Sequence, residues 1–127
     1  MYLHYADGVT DEMMRDAHAA YAKMLGSLPL FSHTVRKHGK LRIGYLSPNL
    51  TDHIVLNFAI QLFSAYNRSR YEVRLYDIGT LQCETTDWVA GMVDGYTDLS
   101  KCSPQEAAAR IHADEIDILF DLAGHSA

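Results

Sequence analysis

From Leu41 onward, strand-like and helix-like segments alternate, and this alternation limits the fold more than any other feature of the chain. The strand-like runs are Leu41 to Leu46, Tyr71 to Ile78, Tyr96 to Leu99 and Ile116 to Leu122. Helical segments lie between them: His53 to Tyr66, Glu84 to about Val93 and Pro104 to Ala113. Ser103 is placed to cap the last helix, with Pro104 at its first position and Glu106 completing a capping box. A β-α-β-α-β-α-β order predicts an α/β domain, Rossmann-like and three-layered, whose sheet is mostly parallel. Right-handed crossovers then place helices on both faces. The apolar run from Ile116 to Leu122 reads as a central strand, buried on both sides.

The first forty residues follow a different pattern. Thr10 can cap a helix from Asp11 to about Leu25, with Asp11 and Glu12 well placed in its first turn. Met13, Ala17, Ala20, Tyr21 and Met24 recur at helical spacing and form one packing face. Gly26 supplies a stop. The stretch from Pro29 to Gly39 is irregular and turns basic at Arg36, Lys37, His38 and Lys40, as a connector does. The expected division is therefore an N-terminal helix and connector over 1–40 and a Rossmann-like domain over 41–127.

Bulk properties exclude several classes of function. With 127 residues, 48% of them hydrophobic and 21% charged, the chain has the composition of a globular protein rather than a disordered one. A net charge of −5 makes no electrostatic case for nucleic acid or an anionic membrane. Cys83 and Cys102 lie far apart and form no metal or redox motif, which fits reduced thiols in a cytoplasmic setting. No segment is apolar enough to span a bilayer.

In a parallel sheet, ligands bind beyond the carboxyl ends of the strands, near a switch in strand order. Two segments reach that edge with suggestive chemistry: Ser47 to His53 after the first strand, and Ala123-Gly124-His125-Ser126 after the last. With Thr51 or Asp52 as N-cap, His53 falls in the first helical turn. A neutral imidazole there can take a proton from a hydroxyl or donate a hydrogen bond to a phosphate. The plainer reading is a surface histidine that happens to begin a helix. Asn57 and Gln61 follow at i+4 and i+8, a polar stripe through an otherwise apolar helix expected to be mostly buried, with the stripe facing a cleft. Gly124 permits a tight turn with positive φ or a close backbone approach, which would present His125 and Ser126, while the plainer reading of His125 is a disordered chain end.

Four other histidines have structural readings. His18 sits among small residues of the first helix, His112 near a helix C-terminus, and His33 and His38 in the connector. No pair has metal-ligand spacing with a third partner, so no metal is expected. The turn Ser47-Pro48-Asn49 lacks the glycine fingerprint of dinucleotide or P-loop binding. No Gly-x-Ser-x-Gly elbow appears.

These same residues carry a family resemblance. Arg42-Ile43-Gly44-Tyr45-Leu46-Ser47-Pro48-Asn49-Leu50-Thr51-Asp52-His53 resembles the opening of the catalytic region of O-linked N-acetylglucosamine transferase and SPINDLY-type glycosyltransferases. The resemblance continues through Asn67 to Val73, Tyr76, Asp98-Leu99-Ser100, Glu106-Ala107-Ala108 and Ile116 to Ser126. Even Tyr5 to Leu25 resembles the helix that commonly precedes this region. The resemblance implies one half of the two-domain GT-B architecture. It implies transfer of a sugar, N-acetylglucosamine, from a nucleotide donor to serine or threonine hydroxyls, inverting the anomeric centre with no metal and no cofactor. His53 matches the histidine of the family's Asp/Asn-His motif, an active-site or base residue. Gly124, His125 and Ser126 match its Gly-His/Tyr-Thr loop, and with Asn57 they are the expected substrate-binding residues. Ile54 stands where relatives usually have Pro or Ser, and Asn57 where several have a second His.

On this resemblance the chain is expected to be the N-terminal half of a catalytic region, inactive alone. The expected partners are a C-terminal half that binds most of the UDP-N-acetylglucosamine donor, tetratricopeptide repeats, and a protein acceptor. A different class of reading stays open: a non-catalytic Rossmann-like interaction or regulatory module. Its receiver-like version fails on the residues, because Ser47-Pro48-Asn49 stands where a receiver needs an acidic pair.

Overall fold

The computed structural model describes residues 5–24, 26, 31–33 and 39–124. The expected helix end at Leu25, the connector residues Pro29, Arg36, Lys37 and His38, and the expected site residues His125 and Ser126 lie outside the described residues. The chain divides into two compact units, Met1–Thr34 and Val35–Ala127.

In the first unit, α1 spans Asp11–Met24. Thr10 caps it as its sequence predicts: the hydroxyl oxygen accepts from Met13 N at 3.2 Å and the carbonyl from Met14 N at 3.0 Å. Gly26, at φ 66°, takes the left-handed conformation that suits a helix stop, and its N–H bonds the Lys23 carbonyl. No residue of α1 is buried, so the face formed by Met13, Tyr21 and Met24 stands exposed.

The second unit is the α/β domain. Its elements are β1 (Leu41–Ser47), α2 (Ile54–Ser64), β2 (Tyr71–Asp77), α3 (Glu84–Ala90), β3 (Gly95–Asp98), α4 (Pro104–Ala113) and β4 (Ile118–Asp121). The strands form one parallel sheet in the order β3-β2-β1-β4. Two crossovers step one way from β1, and the third returns across it to β4. With right-handed connections, that reversal puts α2 and α3 on one face and α4 on the other.

Side chains follow this division. Tyr45, Val73 and Leu75 form the core with Leu56, Ala59 and Phe63 of α2, Val89 of α3, and Leu50. Tyr45 meets Phe63 edge-on, with ring centroids 5.2 Å apart. On the other face, Gly44 leaves room for Tyr76, Ile116 and Leu119, each of which would lie 2.9–3.2 Å from a Cβ at that position. Burial pushes the Tyr76 hydroxyl up, and it donates to Asp114 at the end of α4 at 2.7 Å. The predicted capping box of α4 is present, with Ser103 and Glu106 bonded reciprocally. At the amino end of β1, Arg42 donates to the Asp114 carbonyl and to Glu115, which holds the left-handed residue Glu115 (φ 54°) between α4 and β4.

Two expectations need correction. The run Ile116 to Leu122 is not a central strand: β4 is shorter, sits at the edge of the sheet and is exposed at all four positions. Among the described residues it pairs with β1 alone, where Phe120 stacks on Tyr45. Nor is α2 mostly buried. Leu56, Ala59 and Phe63 face the core, while Ile54, Phe58 and Leu62, spaced four residues apart, form an exposed apolar stripe. Among the described residues no helix is long and apolar enough to cross a membrane.

Candidate functional site

The reversal between β1 and β4 is the topological switch point at which open α/β sheets bind ligands. Both predicted segments leave the sheet there. Leu46 and Asp121 are paired across the two strands, and Leu122 N donates to the Leu46 carbonyl at 2.9 Å. The β1–α2 turn and the turn after β4 therefore start side by side.

The β1–α2 turn is built from buried anchors. Ser47 is fully buried, and its Oγ accepts from Asn49 N at 3.0 Å, folding the chain back at once. Leu50 then plugs into the core. His53 N donates to the Thr51 carbonyl at 2.7 Å, and the helix begins.

His53 is the N-cap of α2, which corrects the expectation that Thr51 or Asp52 fills that position. Its backbone is extended (φ −132°, ψ 150°), and its Nδ1 accepts from Val55 N at 3.2 Å. Sequence favours the usual capping residues, but a ring nitrogen at the same distance from the backbone satisfies the same orphan N–H. This bond has a chemical consequence. A nitrogen that accepts carries no proton, so the neutral ring bears its proton on Nε2. His53 is exposed, and in this state it is a hydrogen-bond donor towards a sugar or phosphate oxygen. To take a proton at Nε2, the ring must first move its own proton to Nδ1 and give up the cap.

Asn57 and Gln61 are exposed on α2. Among the described residues, neither has a side-chain partner that would orient it. After β4, Gly124 adopts φ 54°, the positive value anticipated for it. Its N–H and that of Ala123 donate to Asp121 Oδ1 at 3.0 and 2.9 Å, so a short turn closes on the strand's last carboxylate. The structure thus brings His53 and Gly124 to neighbouring strand ends.

Sequence reasoning missed the polar group behind this edge. Asp77, at the end of β2, is fully buried and accepts from Gly79 N (2.8 Å), Tyr96 OH (2.8 Å) and Gln82 Nε2 (3.3 Å). Burial, together with the bond to Asp77, pushes the Tyr96 hydroxyl up to about 12, so it stays protonated and donates. Asp-x-Gly at a strand end is a turn signal that marks Asp77 as an acceptor for its own loop. Nearby, Thr85 Oγ1 on α3 donates to Asp52 Oδ1 at 2.9 Å. Cys83, the exposed N-cap of α3, has its thiol held below the usual range by the Thr86 hydroxyl. Among the described residues no group of three or more His, Cys, Asp or Glu side chains is placed to hold a metal ion.

Comparison with known proteins places the chain in a family. The family model described as "Glycosyl transferase family 41" matches residues 22–127. Over 122 residues the chain is 29% identical to the probable UDP-N-acetylglucosamine–peptide N-acetylglucosaminyltransferase SEC of Arabidopsis thaliana, a match covering 86% of this chain and 12% of SEC. A solved structure of a mutant O-GlcNAc transferase from Thermobaculum terrenum superimposes with a TM-score of 0.81 at 27% identity. That match covers 92% of this chain and 23% of the transferase. The chain thus spans less than a quarter of either relative.

Proposed function

Because the chain belongs to glycosyl transferase family 41, we propose that it forms the N-terminal half of the catalytic region of a protein O-glycosyltransferase. The reaction moves a sugar, N-acetylglucosamine by analogy with the names of its relatives, from a UDP donor to serine or threonine hydroxyls of an acceptor protein. The observation that carries this reading is the placement of His53. It caps α2 at the switch point between β1 and β4, exposed, beside the turn that leads through Gly124.

In this reading the Nε2–H of His53 binds an oxygen of donor or acceptor, and proton uptake follows only on release of its cap. Asn57, Gly124, His125 and Ser126 are the substrate-binding residues of this reading. Polypeptide beyond this chain supplies the opposite wall and most of the donor contacts, and the chain is inactive without it. The remaining partners proposed are tetratricopeptide repeats, as in SPINDLY-type enzymes, and the setting is the cytoplasm.

The test is sugar transfer from UDP-N-acetylglucosamine to acceptor protein by the full-length enzyme and its His53→Ala variant. Turnover is expected to fall by roughly 10²-fold, the usual effect of losing an acid-base or oriented polar group. Unchanged turnover would remove His53 from the mechanism.

A further inference from the structure

We propose that the β2–α3 loop and the first turn of α3 clamp the β1–α2 turn and so position His53, with Gly79 and Thr85 as the positioning residues. The catalytic consequence rests on the transferase reading above; the geometric claim does not.

Inside the turn, few bonds resist motion. Ser47 Oγ holds Asn49 N, and the Thr51 carbonyl holds His53 N. Leu50 anchors the turn in the core, and the neighbouring loop reaches it at three further places. Ile78 N donates to the Ser47 carbonyl at 3.1 Å. Gly79 presses its Cα against the Pro48 carbonyl so closely that any Cβ there would overlap the carbonyl oxygen. Thr85 Oγ1 donates to the carboxylate of Asp52, the residue directly before His53.

The clamp has its own anchor. Asp77 gathers Gly79 N, Gln82 and Tyr96 around one buried carboxylate, which fixes the loop to the sheet before it crosses Pro48. The Gly79 amide and the Asp77 carboxylate are both buried, so breaking their bond leaves desolvated polar groups unpaired and the loop resists it. The path of rigidity therefore runs from β2 through Asp77 and Gly79 to Pro48, and from α3 through Thr85 to Asp52. His53 ends both. Since a displacement of about 1 Å at a reacting group costs as much as 10²-fold in rate, this support bears directly on turnover.

Isotope-labelled imidazole nitrogens and amide exchange, measured by NMR on the 127-residue chain, report the clamp without any assay of transfer. In the parent chain His53 should show one tautomer, protonated at Nε2, and a protected Val55 amide. In Gly79→Ala, the new methyl must push the turn away, and Val55 exchange should rise by about 10-fold as the cap opens, with His53 moving to mixed tautomers. Thr85→Val keeps the β-branched shape and removes only the hydroxyl. It should shift both signals the same way by a smaller amount, roughly 3-fold in exchange, and Thr85→Ser should restore them.

If Gly79→Ala does not fold, the Thr85 pair decides alone. A folded Thr85→Val chain with unchanged His53 and Val55 signals overturns the proposal. In the full-length enzyme the same variant should lower kcat several-fold with KM unchanged. A change in KM alone overturns the catalytic part. Should His53→Ala leave transfer intact, the transferase role of His53 fails, while the NMR result still decides whether the clamp holds the ring.

Discussion

Two turns leave the same edge of the sheet, and they are held in opposite ways. The one after β1 hangs on residues with no access to solvent: Ser47 and Leu50 within it, and Asp77 behind it. The one after β4 hangs on an exposed carboxylate, Asp121, at the end of a strand exposed along its whole length. β1 has a neighbour on each side, whereas β4, among the described residues, pairs with β1 alone. The comparison teaches that one wall of the switch-point crevice is self-supporting and the other is not. An edge strand that shows Ile118, Leu119 and Phe120 to solvent has apolar surface left to bury.

The sharpest way to break that contrast uses one residue type in both places. Phe63 of α2 is fully buried beneath Tyr45, whereas Phe120 of β4 stacks on the same Tyr45 ring, with centroids 5.2 Å apart, and remains 45% exposed. Phe63→Ala leaves a cavity in a packed core and should cost about 3–5 kcal/mol. Phe120→Ala loses half a side chain's burial and one ring contact, about 1–2 kcal/mol. Urea unfolding of both variants checks this, and equal losses would show that β4 is as firmly built as the core.

How far the sequence carried follows from the same residues. Alternating periods located all the strands and helices of the second unit, because local pattern decides element type. Strand order is a different matter. A run such as Ile118 to Phe120 is equally apolar in a central strand and in an edge strand, since composition does not say how many neighbours a strand has. His53 was legible to within one position, but its capping bond was not, because the pattern of helix starts weighs Thr51 and Asp52 above a histidine. Gly79 was silent for another reason. Its importance lies in a contact with Pro48, distant in sequence, which no local window contains.

Two aspartates at strand ends extend the comparison at smaller magnitude. Asp77→Ala would strand the buried Gly79 N and leave the Tyr96 hydroxyl and the Gln82 amide bonded only to each other, a cost of about 2–3 kcal/mol. Asp121→Ala removes two acceptor bonds that water can replace at an exposed turn, about 0.5 kcal/mol. A loss at Asp121 matching that at Asp77, read from thermal or urea midpoints, would mean that the turn after β4 contributes to folding as the turn after β1 does.

A pH dependence also follows at the supported turn. Burial, with Asp77 as acceptor, raises the Tyr96 hydroxyl from 10.0 to about 12 in the folded chain. The folded state therefore holds this proton more tightly than the unfolded state does. Stability from Tyr96 is complete below pH 10.0, the value in the unfolded chain, and is lost as pH rises towards about 12. Tyr66, raised to about 12 by burial and its bond to Asp94, adds to the same window from the amino end of β2. Tyr96→Phe should be less stable than the parent chain at neutral pH and should show a shallower decline across the alkaline window. Parallel slopes in parent and variant, measured by urea midpoints at successive pH values, would detach Tyr96 from the buried carboxylate and leave Gly79 and Gln82 as its working partners.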